Sequence, residues 1–402
     1  MRLEKLSIAD VPIEGKRVFV RVDFNVPLDQ QGHVTDDTRI RASLPTIQHA
    51  MARGAKLILA SHLGRPAGKV DPRYSLRPVA RCLSGLLGKN ITLTDDCIGP
   101  MVEELVGLMR EGDVLLLENL RFHPEEEKND LRFAQQLARL ADVYVNDAFG
   151  TAHRAHASTE GITQYLPVAA AGLLMQAELA HLGQLLTTPA HPSVAILGGA
   201  KVSDKIDLIV NLLPRLDQLL IGGGMAYTFL VAEGVPIGNS LVEADKVDVA
   251  RDILSRAKSL GVTIQLPEDH VIAEGLDANA DTRVVPKDGI PSGWMGVDIG
   301  PQTVAAFTHA IHGAKTVIWN GPMGIFEIAP FASGTTAVAM AVAASQGTTI
   351  VGGGDSVAAV NQVGAADRIT HISTGGGAFL ELLEGRELPG VAVLTDKPGA
   401  ET

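Results

Sequence analysis

Thiols are nearly absent from this 402-residue chain: Cys82 and Cys97 are its two cysteines, and no C-x-x-C pair occurs. That argues against a disulfide framework and against a thiolate metal centre, and it fits a reducing compartment. No apolar run reaches the roughly 18 residues of a membrane span. Met1-Arg2-Leu3-Glu4-Lys5 carries charge without the apolar core of a signal peptide behind it, so the expected location is cytoplasmic. There is no G-x-x-x-x-G-K-[ST] and no G-x-G-x-x-G, which withdraws support from a P-loop enzyme or a dinucleotide dehydrogenase. Short-period repeats and low-complexity tracts are missing too.

What is present describes a two-domain globular protein. The length exceeds what one hydrophobic core supports, and 46% hydrophobic with 20% charged residues excludes disorder. Apolar runs recur at Arg17–Val22, Lys56–Ser61, Val114–Glu118, Val143–Asn146, Val194–Leu197, Gln218–Ile221, Thr263–Leu266, Thr316–Asn320 and Thr349–Gly352. They are continuous rather than alternating, as in strands covered on both faces, and helix-like segments separate them. The expected fold class is α/β, with two Rossmann-like three-layer domains built on parallel sheets. Ala169 to Leu186 reads as one long connecting helix. The domains are expected at 1–170 and 187–385 with 171–186 between them, and with a ligand cleft between the two.

Charge divides unevenly. Residues 1–185 hold 21 Lys and Arg against 23 Asp and Glu, whereas residues 186–402 hold 13 against 23. The near-neutral, arginine-rich first half suits a small polyanion, since guanidinium forks match phosphate and carboxylate oxygens. It lacks the basic face that nucleic acid requires. Ligands of open α/β sheets bind at the carboxyl ends of strands. In the first half those ends carry Arg21, Asp23, Asn25, Arg39, His62, Arg65, Arg121, His153, Arg154 and His156. Converging like charges are unfavourable without an anion among them, so the set is a candidate anion site. Arg21, on the strand side, is given a structural role. No carboxylate or cysteine close in sequence completes a metal site at His153 and His156.

The second half places glycine clusters at the equivalent ends. Val351-Gly352-Gly353-Gly354-Asp355-Ser356 runs from an apolar segment into a helix-prone one. Its glycines admit a close ligand, the helix start offers free N–H groups, and Asp355 could hold magnesium beside phosphates. Gly198-Gly199-Ala200-Lys201 with Lys205 sets two lysines four apart at a helix start, either facing one phosphate chain or simply solvated. Ser373-Thr374-Gly375-Gly376-Gly377-Ala378 is a further candidate cradle of N–H groups.

Taken together these strings resemble the phosphoglycerate kinase family from Arg17 to Leu383. Those that carry the resemblance are Arg21–Pro27, Ser61–Pro66, Glu118–Phe122, Asp147–His156, Leu197–Val202, Trp319–Gly324, Gly352–Ser356 and Ser373–Ala378, in the family's order. The resemblance implies reversible phosphoryl transfer between ATP and the carboxylate of 3-phosphoglycerate, a step of glycolysis, with Mg2+ as cofactor and ATP and ADP as nucleotide substrates. It implies small-molecule substrates only, no membrane, and a monomer. Glycerate binding would fall to Asp23, Phe24, Asn25, Arg39, His62, Leu63, Gly64, Arg65, Arg121 and Arg154. Nucleotide binding would fall to Lys205, Gly296, Glu327, Gly353, Gly354, Asp355 and Ser356, with Asp355 on the metal. Gly222 and Gly223 also match positions near the adenine. Catalysis would rest on Arg39, Lys201, Gly375 and Gly376. The C-terminal tail, about 386–402, is expected to return to the first domain. Asp269 to Val285 follows no pattern that can be carried over.

A carboxylate acceptor is ionised near pH 7, with a pKa of roughly 4, so no general base is needed. Donor and acceptor on different domains imply in-line transfer after closure, with Ser373-Thr374 and the connecting helix as hinge candidates. Two rivals remain. One is a nucleotide-dependent ligase or acyl-phosphate kinase acting on another acid. The other is a non-catalytic scaffold or anion sensor, which would have no use for Lys201, Asp355 and Arg39 at a transfer point.

Overall fold

The structure, a computed structural model, describes residues 2–398; the last four residues of the expected tail therefore lie outside the described residues. The chain divides into two compact units, one formed by residues 1–180 with 387–402 and the other by residues 181–386.

Unit 1 is built on six strands: β1 (Arg17–Arg21), β2 (Lys56–Ala60), β3 (Thr92–Leu93), β4 (Val114–Leu116), β5 (Val143–Asn146) and β6 (Ala169–Ala171). They pair in parallel in the order β3-β4-β2-β1-β5-β6. In β1 and β2 every residue but the first is buried, as expected of strands sandwiched between helix layers. Val18, Val20, Leu57, Leu59, Val114 and Val145 join one apolar core with Ile40 and Ile47 of the helix Thr38–Ala52. From β1 the chain winds to one side, then returns to β5 on the other. The carboxyl ends of β1 and β5 are thus a topological switch point, where ligands of such sheets bind.

Unit 2 repeats the plan with β7 (Ser193–Leu197), β8 (Gln218–Ile221), β9 (Thr263–Gln265), β10 (Asp269–Ala273), β11 (Arg283–Pro286), β12 (Met295–Ile299), β13 (Thr316–Asn320), β14 (Thr348–Val351) and β15 (His371–Ile372). Six of these form a sheet in the order β15-β14-β13-β7-β8-β9, with its switch point between β7 and β13. The others, β11-β10-β12, form an antiparallel ribbon. The stretch Asp269 to Val285, which follows no pattern that can be carried over, lies in this ribbon, whose edge β11 is mostly exposed.

The connecting helix needs a correction. Ala169–Ala171 is strand β6, and the helix runs from Leu173 to Thr187. The three alanines are buried and pair with Tyr144, Val145 and Asn146, so tertiary pairing overrides alanine's helical propensity. Asp147 accepts from the Leu174 and Met175 amides at the helix start, at 3.0 and 3.3 Å, and fixes the boundary. At the far end of the chain, Lys5 donates to Leu394 O at 3.1 Å and Asn146 donates to Gly390 O at 3.1 Å, both within unit 1.

Candidate active-site residues in the two units

In unit 1 the loops after β1, β2, β4 and β5 converge. Asn25 Oδ1 accepts from the Gly64 amide at 2.9 Å, and Arg121 donates to Gly64 O at 2.9 Å. Arg39 reaches Asp23 at 2.7 Å, and Arg154 donates to His153 at 3.2 Å. Phe24 and Leu63 are buried in the core, so what they can offer a ligand is backbone. Arg65 is exposed in the same loop as Gly64.

Electrostatics make the convergence explicit. Burial first, then Arg21, Arg121, Arg39 and His156, hold His62 well below the usual histidine range. Burial, Arg21, Arg121 and Arg154 bring His156 down to about 4. Arg121 is itself depressed, chiefly by burial. Both imidazoles are therefore neutral at pH 7 within a field of guanidinium groups, the signature of a place made for an anion.

Beneath this surface lies a buried relay. Arg21 is 1% exposed and donates to Ser158 Oγ at 2.8 Å, while its other end meets His62 Nδ1 at 3.2 Å. A guanidinium only donates, so Nδ1 must accept, and the His62 proton sits on Nε2. Ser158 in turn donates to Glu126 Oε1 at 2.5 Å, and Glu126 is wholly buried. Nothing local marks Glu126 in the sequence: between Glu125 and Glu127 it reads as part of a solvated acidic run.

In unit 2 two adjoining cavities flank the β7–β13 switch point. The first, of about 490 Å³, has Tyr227, Leu241, Leu276, Met295, Gly296 and Val297 on its walls and Glu327 at its margin. The second, of about 440 Å³, is lined by Lys201, Lys205, Gly353, Gly354, Asp355 and Ser356. Gly199, Ala200, Pro322 and Asp355 belong to both, so an apolar chamber continues into a polar one that sets Lys201 and Lys205 beside Asp204 and Asp355. Gly199 N donates to Pro322 O at 2.9 Å and ties the two strand ends together.

Close approach explains two glycines. Gly353, with φ of 91°, opens the helix Gly354–Gln362, and a Cβ there would lie 2.5 Å from Asn320 Nδ2. That amide donates to Gly352 O at 2.7 Å while its oxygen accepts from Lys205 Nζ. Lys205 is thereby aimed across the second cavity, with burial drawing its pKa down and Asp204, Glu384 and Asp355 opposing. At Gly296 a Cβ would collide with Tyr227 Oη at 1.6 Å.

Some expected residues sit elsewhere or differently. Ser356 Oγ is spent on the Gly321 amide at 2.6 Å, so its backbone is what faces the cavity. Gly375 and Gly376 line neither cavity, and the Gly375 amide donates to Ser373 Oγ at 3.1 Å. Sequence reasoning missed Tyr227, Leu241, Leu276, Met295 and Asp298. They come from four separate segments, and no local pattern links them. Leu241 and Leu276 are half exposed aliphatics, at 52% and 53%, whose purpose only the cavity explains.

A profile of the family described as "Phosphoglycerate kinase" matches residues 8–386. The phosphoglycerate kinase of Moorella thermoacetica is 59% identical over 395 residues, covering 98% of this chain and 100% of its own. The cytosolic phosphoglycerate kinase of Nicotiana tabacum is 57% identical over 393 residues, covering 97% and 98%. The solved phosphoglycerate kinase of Coxiella burnetii superposes with a TM-score of 0.90 at 42% identity, over 97% of this chain and 98% of that one.

Proposed function

The chain belongs to the phosphoglycerate kinase family, and from that premise we propose how its own residues divide the work. The activity is phosphoryl transfer between ATP and the carboxylate of 3-phosphoglycerate, giving ADP and 1,3-bisphosphoglycerate. The unit 1 cluster binds the glycerate. Arg65, Arg121 and Arg154 supply forks for its phosphate and carboxylate, and His62 offers the Nε2 proton as a neutral donor. Asn25 holds the Gly64 loop in place.

The observation that carries the nucleotide assignment is the continuity of the two unit 2 cavities. Purine suits the apolar chamber of Leu241, Leu276, Met295 and Val297, ribose the margin at Glu327, and phosphates the glycine-rich chamber, where Lys201 and Lys205 supply positive charge. Gly353 and Gly354 let the phosphate chain approach the start of the following helix.

Magnesium fits this donor set. Asp355 puts a hard carboxylate oxygen on the seam of the two cavities, and Mg2+ takes one or two carboxylates together with substrate phosphates and water. When bound, it neutralises charge on the transferring phosphates.

The residues themselves supply alignment and charge. The acceptor carboxylate arrives ionised, so no side chain need remove a proton. Arg39 in unit 1 is the proposed cation on the glycerate side of the transfer and Lys201 in unit 2 the proposed cation on the nucleotide side, each offsetting negative charge that develops on the phosphoryl oxygens. Asp23, which accepts from Arg39 at 2.7 Å, holds that guanidinium until substrate arrives. The amides of Gly375 and Gly376 would join only if the Gly375 N–H leaves Ser373 Oγ. A cytosolic monomer is the proposed state; the name of the tobacco relative supports the location. Initial rates with ATP, magnesium and 3-phosphoglycerate, compared with other small carboxylic acids, test the reading. Equal turnover of an unphosphorylated acid would refute the glycerate site.

A further inference from the structure

Among the described residues, one set of His, Cys, Asp or Glu side chains brings three ligand atoms within 4.8 Å of one another: Asp96, Cys97 and His123. The topology explains the meeting. β3 and β4 are parallel neighbours, with Leu93 opposite Leu116. The segments leaving their carboxyl ends therefore run side by side, one through Asp96 and Cys97 and the other through the turn Leu120–Phe122 to His123.

The three ligands are tied to one another and to their surroundings. Asp96 Oδ1 accepts from the Cys97 amide at 2.6 Å and meets His123 Nε2 at 2.6 Å. The Asp96 carbonyl accepts from Thr94 Oγ1 at 2.5 Å. The His123 ring rests against Phe133, centroids 5.2 Å apart. Cys97 is wholly buried, His123 is half-buried and Asp96 is exposed, so the cluster has a closed floor and an open mouth.

We propose that Asp96, Cys97 and His123 form a site for a divalent cation of the zinc class, with water completing its coordination. One thiolate, one imidazole and one carboxylate make a mixed set that suits such a borderline ion. Magnesium and calcium take oxygen ligands, so the site is chemically distinct from one at Asp355. Tetrahedral coordination with bonds of roughly 2.0 Å to N and O and 2.3 Å to S separates ligand atoms by roughly 3.3–3.5 Å. The His123–Asp96 pair need only part by under about 1 Å to admit the ion. Binding would release the Cys97 thiol proton to solvent, along with that of His123 where it is protonated.

The alternative chemistry, a Cys–His–Asp nucleophile, fails on environment. Cys97 is wholly buried at the floor of the cluster, so no substrate electrophile reaches its sulfur, whereas a catalytic thiol needs access. An ion would instead brace the segment carrying Arg121, two residues before His123. The spacing gave no warning, because the two halves of the site come from different strand ends rather than a C-x-x-C or H-x-x-x-H run.

The test uses the full chain, free of nucleotide, titrated with Co2+. Binding here gives a near-ultraviolet sulfur-to-cobalt charge-transfer band that Zn2+ removes, and cobalt at an oxygen site such as Asp355 gives none. The band should persist in Cys82→Ser and vanish in Cys97→Ser. His123→Asn should weaken cobalt binding by at least about 10-fold, the scale at which even an outer-shell partner matters. If Cys97→Ser does not fold, the contrast between His123→Asn and Cys82→Ser decides. No band in the folded wild type means an Asp96–His123 ion pair only, and the proposal fails. A band that survives Cys97→Ser, that titrates in His123→Asn with undiminished cobalt affinity, or that is lost in Cys82→Ser also overturns it.

Discussion

Gly296→Ala should damage nucleotide use and little else, and its size can be worked from the packing around Tyr227. The new methyl carbon would lie 1.6 Å from Tyr227 Oη and 2.3 Å from Cζ. Carbon contacts are comfortable at about 3.5–4.0 Å, so the ring must move by about 2 Å. Tyr227 is 5% exposed, on the helix Met225–Ala232, with its ring 5.4 Å from that of His270. Core lies on one side and the 490 Å³ cavity on the other, so the ring moves into the cavity. Overpacking of this kind costs about 1–3 kcal/mol, which converts to a rise of about 5- to 150-fold in the KM for ATP. Because the cavity gives way, the urea midpoint should barely change. The KM for 3-phosphoglycerate should stay within about twofold, since its proposed ligands are in the other unit. Combining Gly296→Ala with Tyr227→Phe removes the nearest colliding atom and should restore part of the loss. Steady-state rates with each substrate varied in turn read all of this. A folded Gly296→Ala enzyme with normal ATP kinetics would refute the purine chamber.

Other substitutions separate roles. Arg39→Ala should lower kcat by about 10³-fold if its charge serves the transition state, whereas Arg65→Ala should raise the KM for 3-phosphoglycerate more than it lowers kcat. The reverse order in steady-state kinetics would exchange their roles. Asp298 is buried and accepts from the Gly334 amide at 2.6 Å and the Ile299 amide at 2.9 Å, yet burial lifts its carboxyl to about 7. Its folded pKa lies above the unfolded one, so the native state holds the proton more tightly and stability falls as pH rises from about 4 to about 7. Asp298→Asn should flatten that decline by up to about 4 kcal/mol in urea unfolding followed across the range, and an unchanged slope would contradict it. Asp147, also lifted to about 7 by burial, leaves a residual slope in the variant.

Much of the molecule was legible because its physics is local. Continuous Val, Ile and Leu runs announced parallel strands, and the loops bearing Asn25, His62, Gly64 and Arg121 fell at strand ends, where they meet. Illegible parts depend on tertiary context. Ala169–Ala171 has helical residues in a buried edge strand, and no propensity reveals that Tyr144 to Asn146 await a partner. Glu126 is hidden in an acidic run, although it anchors Ser158 and through it Arg21. The purine chamber draws Leu241, Leu276 and Met295 from segments with no shared pattern. Position in a motif also said nothing of orientation: Ser356 and Phe24 sit in glycine- and arginine-bearing strings, yet both side chains face inward.

Calorimetric titration of the wild type, Arg65→Ala and Lys205→Ala with 3-phosphoglycerate and with magnesium–ADP tests the assignment of one substrate to each unit most directly. Arg65→Ala should lose glycerate affinity and keep the nucleotide, and Lys205→Ala should do the opposite. Loss of nucleotide binding in Arg65→Ala, or of glycerate binding in Lys205→Ala, with the partner ligand unaffected, would contradict it.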